Sequence, residues 1–228
     1  MSRQCLNIFY FITSWLGQRM IIAVEWIFRN HTQTNLTIPD WAARLCSHSD
    51  EIRSEFLSLY NENLREFRLI SPEQARITGG NSWKVFILKA YGRRLFGNFE
   101  LCPRTSALCD AIPEITSAMF SILEPSTHVL PHRGPYAGVL RCHVPLIIPA
   151  GDCGINVDGK KFLWETGKAL VFDDTIEHEA WNNTEERRVV LFIDFVRPFP
   201  QPLAAINRLM IWLIGRSPFI GRMLRASM

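Results

Sequence analysis

The sequence has no Cys-x-x-Cys pair and no basic tract, and from Phe195 to its last residue it has no acidic side chain. Its six cysteines, Cys5, Cys46, Cys102, Cys109, Cys142 and Cys153, form no zinc-finger spacing with histidine, which argues against a structural zinc site. They read as buried or surface thiols in a reducing compartment rather than as a disulfide framework. The 25 Lys and Arg nearly balance the 22 Asp and Glu, for a formal charge of +3. Without a basic tract interleaved with aromatics, this argues against a nucleic-acid partner. A long unbroken apolar run is also missing. Asn7 to Phe28 reads NIFYFITSWLGQRMIIAVEWIF and is interrupted by Gln18, Arg19 and Glu25. A spanning helix needs about 20 mostly apolar residues, and a signal peptide needs a small-residue cleavage site. The segment is expected to form a membrane-surface or partner-binding helix, or a hairpin, in preference to a true span.

With 228 residues, 47% of them hydrophobic, the chain can bury one sizeable core and carry extensions. Four stretches differ in character. Residues 1–30 are apolar and slightly basic, a candidate membrane-associated segment. Residues 31–80 are a helical lead-in, where Ile52, Phe56, Leu59 and Leu64 in DEIRSEFLSLYNENLREF follow a helical stripe. Residues 81–200 are β-rich. Their apolar runs Trp83–Leu88, Met119–Leu123, Val139–Ile148, Lys161–Trp164, Ala169–Phe172 and Val189–Val196 alternate with turn signals such as GGNS, EPS, PAGDCG, VDGKK and NNTEE. This predicts a sandwich or barrel, with a double-sheet jelly roll as one solution. Residues 201–228 are basic and apolar. Leu203–Ile214 is a strongly apolar helix candidate, broken by Gly215, Pro218 and Gly221. The segment either docks on the core or lies at an interface with anionic lipid. Reducing thiols and apolar ends place the chain in the cytoplasm or at the cytoplasmic face of a membrane, with peripheral contact through both termini or an anchor at the amino terminus as the expected attachment.

The chemistry concentrates in the β-rich half, which holds His128, His132, His143 and His178. Four histidines in one segment suggest a metal or acid–base site. In VLRCHVPLII, Arg141 and His143 share a face with Val139, while Leu140, Cys142, Val144 and Leu146 take the other. In the strand from Val189, Arg188, Val190, Phe192 and Asp194 point one way and Val189, Leu191, Ile193 and Phe195 the other. Ser121 falls on the face of Met119 and Leu123. One cavity would then collect histidines, two arginines and a serine. Imidazole suits iron, zinc and copper alike, and an arginine with a nearby hydroxyl suits a carboxylate. Iron with a small dicarboxylate cosubstrate, a zinc enzyme and a cupin-like binding protein all fit this set.

FSILEPSTHVLPHRGPYAGVLRCHVPLIIP and LVFDDTIEHEAWNNTEERRVVLFIDFVRP resemble the two signature segments of the aspartyl/asparaginyl β-hydroxylase family. WKVFILKAYGRR, LCPRTSALCDAIPEI and AMFSIL are similar to upstream pieces of its bacterial members. The resemblance covers about residues 80–200. It implies a mainly β fold with flanking helices, a double-stranded β-helix or distorted jelly roll. It also implies an Fe(II)- and 2-oxoglutarate-dependent dioxygenase that uses O₂, with His132 and His178 as iron ligands. Arg188 and Ser121 would hold the distal carboxylate of 2-oxoglutarate, and Arg141 and His143 would line the site toward a cosubstrate or substrate carboxylate. Gly134 stands where many such enzymes place a third, carboxylate ligand, and the family is similar in lacking it. Asp173 and Asp174 are expected to cap the following turn or to support a ligand, not to ligate. The substrate implied first is the β-carbon of an aspartyl or asparaginyl residue in a peptide or protein. The runner-up is the acyl chain of a lipid such as lipid A, because the RxPxAGxLRxH-like run and AINR resemble bacterial lipid A hydroxylases, although these tend to carry Asp at the position of Gly134. A free amino acid is a third possibility, and a non-catalytic cupin-like binding protein is the alternative of another class.

Overall fold

The computed structural model describes residues 15–31, 36–59, 63–70, 77–78 and 83–227, with side chains from residue 22 onward. Cys5, the GGNS turn and the part of the amino-terminal expectation before Trp15 lie outside these residues. The strands in chain order are β1 (Arg65–Glu66), β2 (Trp83–Ala90), β3 (Arg93–Arg94), β4 (Ile115–Leu123), β5 (Thr127–His132) and β6 (Val139–Ile147), then β7 (Cys153–Val157), β8 (Lys160–Leu163), β9 (Leu170–Phe172), β10 (His178–Asn182) and β11 (Arg188–Val196). They form a seven-stranded sheet in the order β1-β2-β4-β11-β6-β9, with β3 beside β2, and a four-stranded sheet in the order β5-β10-β7-β8. All the pairings are antiparallel. Strands that follow one another in sequence, such as β4, β5 and β6, alternate between the sheets, which makes this a double-stranded β-helix flanked by helices.

The period-2 pattern decides what each face buries. Val189, Leu191, Ile193 and Phe195 of β11, with Leu140, Cys142, Val144 and Leu146 of β6, pack outward in one cluster. That cluster is covered by α2 (Asp40–Ser47), α3 (Ser49–Ser58) and α6 (Pro103–Asp110) through Ala42, Leu45, Ile52, Phe56 and Cys109. Fully burying such an aliphatic or aromatic side chain stabilises by about 1.5–3 kcal/mol. The opposite face looks inward, where Leu123, Val129, Ile155, Phe172, Ala180 and Val190 fill the space between the sheets. At Asp158-Gly159 both residues have positive φ (54° and 75°), and they close the β7–β8 hairpin as the sequence VDGKK predicted.

The remaining helices are α1 (Trp15–Asn30), α4 (Phe67–Ile70), α5 (Phe96–Leu101), α7 (Leu203–Gly215) and α8 (Pro218–Ala226). Phe28 of α1 is fully buried against Tyr136, Phe199 and Ile211. Among the described residues no helix is long and apolar enough to cross a membrane. The expected helix over DEIRSEFLSLYNENLREF is shorter than its stripe. It ends at Ser58, and Arg65 and Glu66 pair with β2 instead, so Leu64 packs from an extended segment. The break near Gly215 falls as expected, and a Cβ there would overlap the carbonyl oxygen of Tyr91. Cys46, Cys102, Cys109, Cys142 and Cys153 are buried and unpaired.

Candidate active site

His132 closes β5 and His178 opens β10, and the two are register partners in the smaller sheet. Their rings lie 4.2 Å apart, centroid to centroid. Each ring is oriented by the carbonyl two residues before it: His132 Nδ1 lies 2.8 Å from the oxygen of Leu130 and His178 Nδ1 2.9 Å from that of Ile176. A carbonyl can only accept, so Nδ1 carries the proton and Nε2 keeps its lone pair. Burial lowers the pKa of both rings. That of His178 is pulled to about 3 by burial and then by the neighbouring His132. Two neutral imidazoles whose Nε2 atoms carry lone pairs are what a metal needs as nitrogen donors.

A carboxylate stands beside them. Asp174 Oδ1 is 3.3 Å from His178 Nε2 and also bonds Arg141 Nη1. A Cβ on Gly134 would overlap this carboxylate, so a side chain from the β9–β10 turn fills the space that a side chain at Gly134 would need. Asp174 is therefore not the turn cap. Asp173 takes that role, accepting from the Thr175 amide at 3.0 Å and the Thr175 hydroxyl at 2.7 Å, and it pairs with Arg197 at 2.6 Å. Arg141 is engaged on its other edge by Asp194, at 3.0 and 3.3 Å. Burial opposes its charge, but Asp174 and Asp194 outweigh burial and raise its pKa. Among the described residues no three His, Cys, Asp or Glu side chains converge closely enough to hold a metal. The site offers an imidazole pair with an Arg-bound carboxylate next to it.

Deeper between the sheets lies a small cavity of about 30 Å³, lined by Ser121, His132, His143, His178 and Arg188 among others. Arg188 is 2% exposed. Its Nη1 donates to the Ser121 carbonyl at 3.1 Å, its guanidinium lies 4.6 Å from the Trp164 ring centre, and its Nε has no partner among the described residues. Among the described residues no acidic side chain pairs with it, and burial pulls its pKa down to about 10. Both ring nitrogens of His143 and the Trp164 indole nitrogen are also buried without a partner. Burial, then the charges of Arg188 and Arg141, hold His143 well below its usual pKa, hence neutral. Trp83 Nε1 donates to Ser121 Oγ at 3.0 Å. A buried cation without a counter-ion is costly, and the unpaired donors around this cavity have the chemistry to receive a carboxylate group.

At His132, Arg141 and Phe192 this cavity meets a chamber of about 530 Å³. Phe67, Ile77, Ile87, Met119, Phe192, Phe219, Ile220 and Met223 make its wall mostly apolar, Lys89 and Arg133 add two cations to the lining, and His132, Arg141 and Asp194 adjoin the inner cavity. The volume is in the range of small-molecule sites.

The structure thus brings His132, His178, Arg141, His143, Ser121 and Arg188 around one cavity. His128 stays outside, paired with Glu179 at 2.9 Å. Sequence reasoning missed the reach of Asp174 into the site, the donor Trp83, and the Trp164 ring against Arg188. It had placed Asp194 on the inward face without giving it a partner.

A sequence profile described as aspartyl/asparaginyl β-hydroxylase matches residues 47–198. The chain is 43% identical over 184 residues to an ornithine lipid ester-linked acyl 2-hydroxylase of Rhizobium tropici, across 79% of this chain and 66% of that relative. It is 36% identical over 135 residues to the human aspartyl/asparaginyl β-hydroxylase, across 57% of this chain but 18% of the human protein. This chain therefore spans only part of either relative. Among solved structures, KdgF from Halomonas sp. aligns with 51% of this chain and 81% of its own at a TM-score of 0.33 and 13% identity, too distant to bear on chemistry. By the profile match and the identities to these two hydroxylases, the chain belongs to the aspartyl/asparaginyl β-hydroxylase family.

Proposed function

We propose that this chain is an Fe(II)- and 2-oxoglutarate-dependent hydroxylase acting on the acyl chain of a membrane lipid. The observation that carries the substrate is the apolar chamber that ends at His132 and Arg141. A methylene chain gains by leaving water for the apolar part of this wall. The 43% identity to an enzyme named for an ester-linked acyl chain supports the same substrate class. This reading puts the lipid ahead of the aspartyl or asparaginyl residue that the family resemblance implied first.

In this reading His132 and His178 hold iron through Nε2, and Arg188, His143 and Ser121 hold 2-oxoglutarate. With O₂, iron and 2-oxoglutarate supply the oxidising power that replaces an unactivated C–H by C–OH and releases succinate and CO₂. The chain's own residues do the rest. Arg188 neutralises the cosubstrate carboxylate, and Arg141 fixes Asp174 beside His178. Phe192 and Met119 exclude water and orient one carbon of the acyl chain toward the histidines.

The test is mass spectrometry after incubating the chain with Fe(II), 2-oxoglutarate and O₂, together with detergent-dispersed ornithine and phosphoglycerol lipids or with aspartyl and asparaginyl peptides. A gain of one oxygen on an acyl chain is expected, and it should vanish in His132→Ala and in His178→Ala, which should also lose most iron in equilibrium dialysis. Oxygen on a peptide alone would overturn the lipid assignment. Neither oxygen gain nor 2-oxoglutarate turnover would leave a cupin-like binding protein.

A further inference from the structure

On the face formed by β3, α7 and α8, Arg93, Arg216, Arg222 and Arg225 have no acidic partner among the described residues. The acids near them are already taken. Glu114 pairs with Arg208 at 2.5 Å, and Asp110 pairs with Arg94 at 2.6 Å and Lys89 at 3.4 Å. Two clefts share Arg93. One, of about 520 Å³, lies between the β2–β3 turn and α7 and includes Trp212 and Arg216. The other, of about 480 Å³, lies against α8 and includes Phe96 and Arg225. At Gly221 the guanidinium groups of Arg225 and Arg93 come within 3.6 and 3.9 Å of the position a Cβ would take, so two unpaired cations converge on one spot. Large apolar side chains stand exposed around them: Phe96 at 71%, Leu209 at 56% and Trp212 at 47%. Arg216 lies over the Trp212 ring at 3.8 Å. The same helix α8 turns Phe219, Ile220 and Met223 into the apolar chamber.

Unpaired guanidinium groups among exposed aromatic side chains have the chemistry of a surface that meets lipid phosphates and the outer acyl layer together. We propose that the β2–β3 turn, α7 and α8 form a docking surface for an anionic phospholipid bilayer. Arg93, Arg216 and Arg225 hold lipid phosphates, Phe96 and Trp212 enter the interface, and the mouth of the chamber at α8 faces the membrane. A lipid then feeds its chain toward His132 without crossing water. The delivery role rests on the lipid substrate proposed above, but the docking surface stands or falls on its own test.

That test is co-sedimentation of the full chain with vesicles of phosphatidylcholine and phosphatidylglycerol, compared with phosphatidylcholine alone, at low and high salt. Binding is expected only to the anionic vesicles, weakening as salt rises. Each arginine at such a surface contributes about 1 kcal/mol, or about fivefold in affinity. Arg93→Gln with Arg225→Gln should therefore weaken binding by about 25-fold, Phe96→Ser should weaken it further, and Lys168→Gln on the β8–β9 turn should leave it unchanged. On lipid in vesicles the double variant should raise KM, while on detergent-dispersed lipid it should match the parent. Equal vesicle binding by parent and double variant would overturn the proposal, as would a chain that ignores anionic vesicles. A dimer that the same substitutions dissolve would make this a contact between copies instead. Loss of detergent-phase hydroxylation in the parent would count against the enzymatic reading alone.

Discussion

Gly134 tolerates little change, because a Cβ there would overlap the Asp174 carboxylate that lies between His178 Nε2 and Arg141. Gly134→Ala should therefore push Asp174 away from both. Overpacking of this kind costs about 1–3 kcal/mol, and here it falls on the group beside the metal-facing nitrogen. We expect weaker iron binding in a metal titration and slower 2-oxoglutarate turnover. Gly134→Asp, which restores a common ligand set on paper, should be no faster than the parent; a faster variant would show the two-histidine site to be a degraded triad. Arg188 gives a second, opposite pattern. Charge-assisted hydrogen bonds contribute about 1.5–3 kcal/mol, so Arg188→Gln should raise the 2-oxoglutarate requirement about 10- to 100-fold. The same change removes a buried, unpaired cation, so the variant's melting temperature without cosubstrate should not fall. The rise in melting temperature that 2-oxoglutarate gives the parent should disappear. A variant that keeps this rise would need another anchor, with His143 the first to test. The inward faces of β4, β6 and β11 were legible residue by residue, because alternation sorts Ser121, Arg141, His143 and Arg188 from their apolar neighbours. Asp174 was not legible, since two adjacent aspartates in a turn look alike until the fold shows which one faces His178.

At the scale of elements, the long apolar strands were legible and the strands carrying the two facing histidines were not. THVLPH and HEAWN alternate in burial but hold few apolar residues, and β7, CGINV, begins inside the turn signal PAGDCG. Their pairing in the smaller sheet comes from partners far away in sequence, which local pattern does not reveal. The junction between the barrel and α7 depends on one polar side chain. Asn207 is fully buried; it donates to the Gly138 carbonyl at 2.8 Å and accepts from the Tyr136 hydroxyl at 2.6 Å. A Cβ on Gly138 would overlap its Oδ1, so the backbone approaches closely because residue 138 is glycine. Asn207→Leu should strand the Tyr136 hydroxyl at about 1–3 kcal/mol, while the Gly138 carbonyl keeps the Arg197 amide, which donates to it at 3.0 Å. The melting temperature should drop, and hydrogen exchange in α7 should accelerate ahead of that in β11. If α7 exchanged no faster than β11, Asn207 would stabilise the barrel as a whole and not this docking.

At the scale of the molecule, one sheet face serves two environments. β11 sends Leu191 and Ile193 outward into the helix-covered core and sends Arg188, Phe192 and Asp194 inward, so a single strand closes the core, lines the inner cavity and begins the chamber. The amino- and carboxy-terminal helices meet there as well, through Phe28 and Ile211 in one cluster and Ile220 and Leu224 in another. The apolar carboxy-terminal segment, which read as either a docked or an interfacial helix, is docked on one side, while Trp212 and Arg216 remain exposed on the other. This division of labour predicts that the chamber can be altered without disturbing the inner cavity. Met223 lines the chamber from α8 but not the inner cavity. Met223→Trp should narrow the path of a long acyl chain while leaving Arg188, His143 and the histidine pair untouched. Hydroxylation of long-chain lipid should fall mainly through KM, a short-chain ester should lose less, and turnover of 2-oxoglutarate without substrate should persist at the parent's KM for 2-oxoglutarate. Loss of both turnovers together would mean that the helix supports the cosubstrate cavity as well. Unchanged long-chain kinetics would mean that the substrate does not pass along α8.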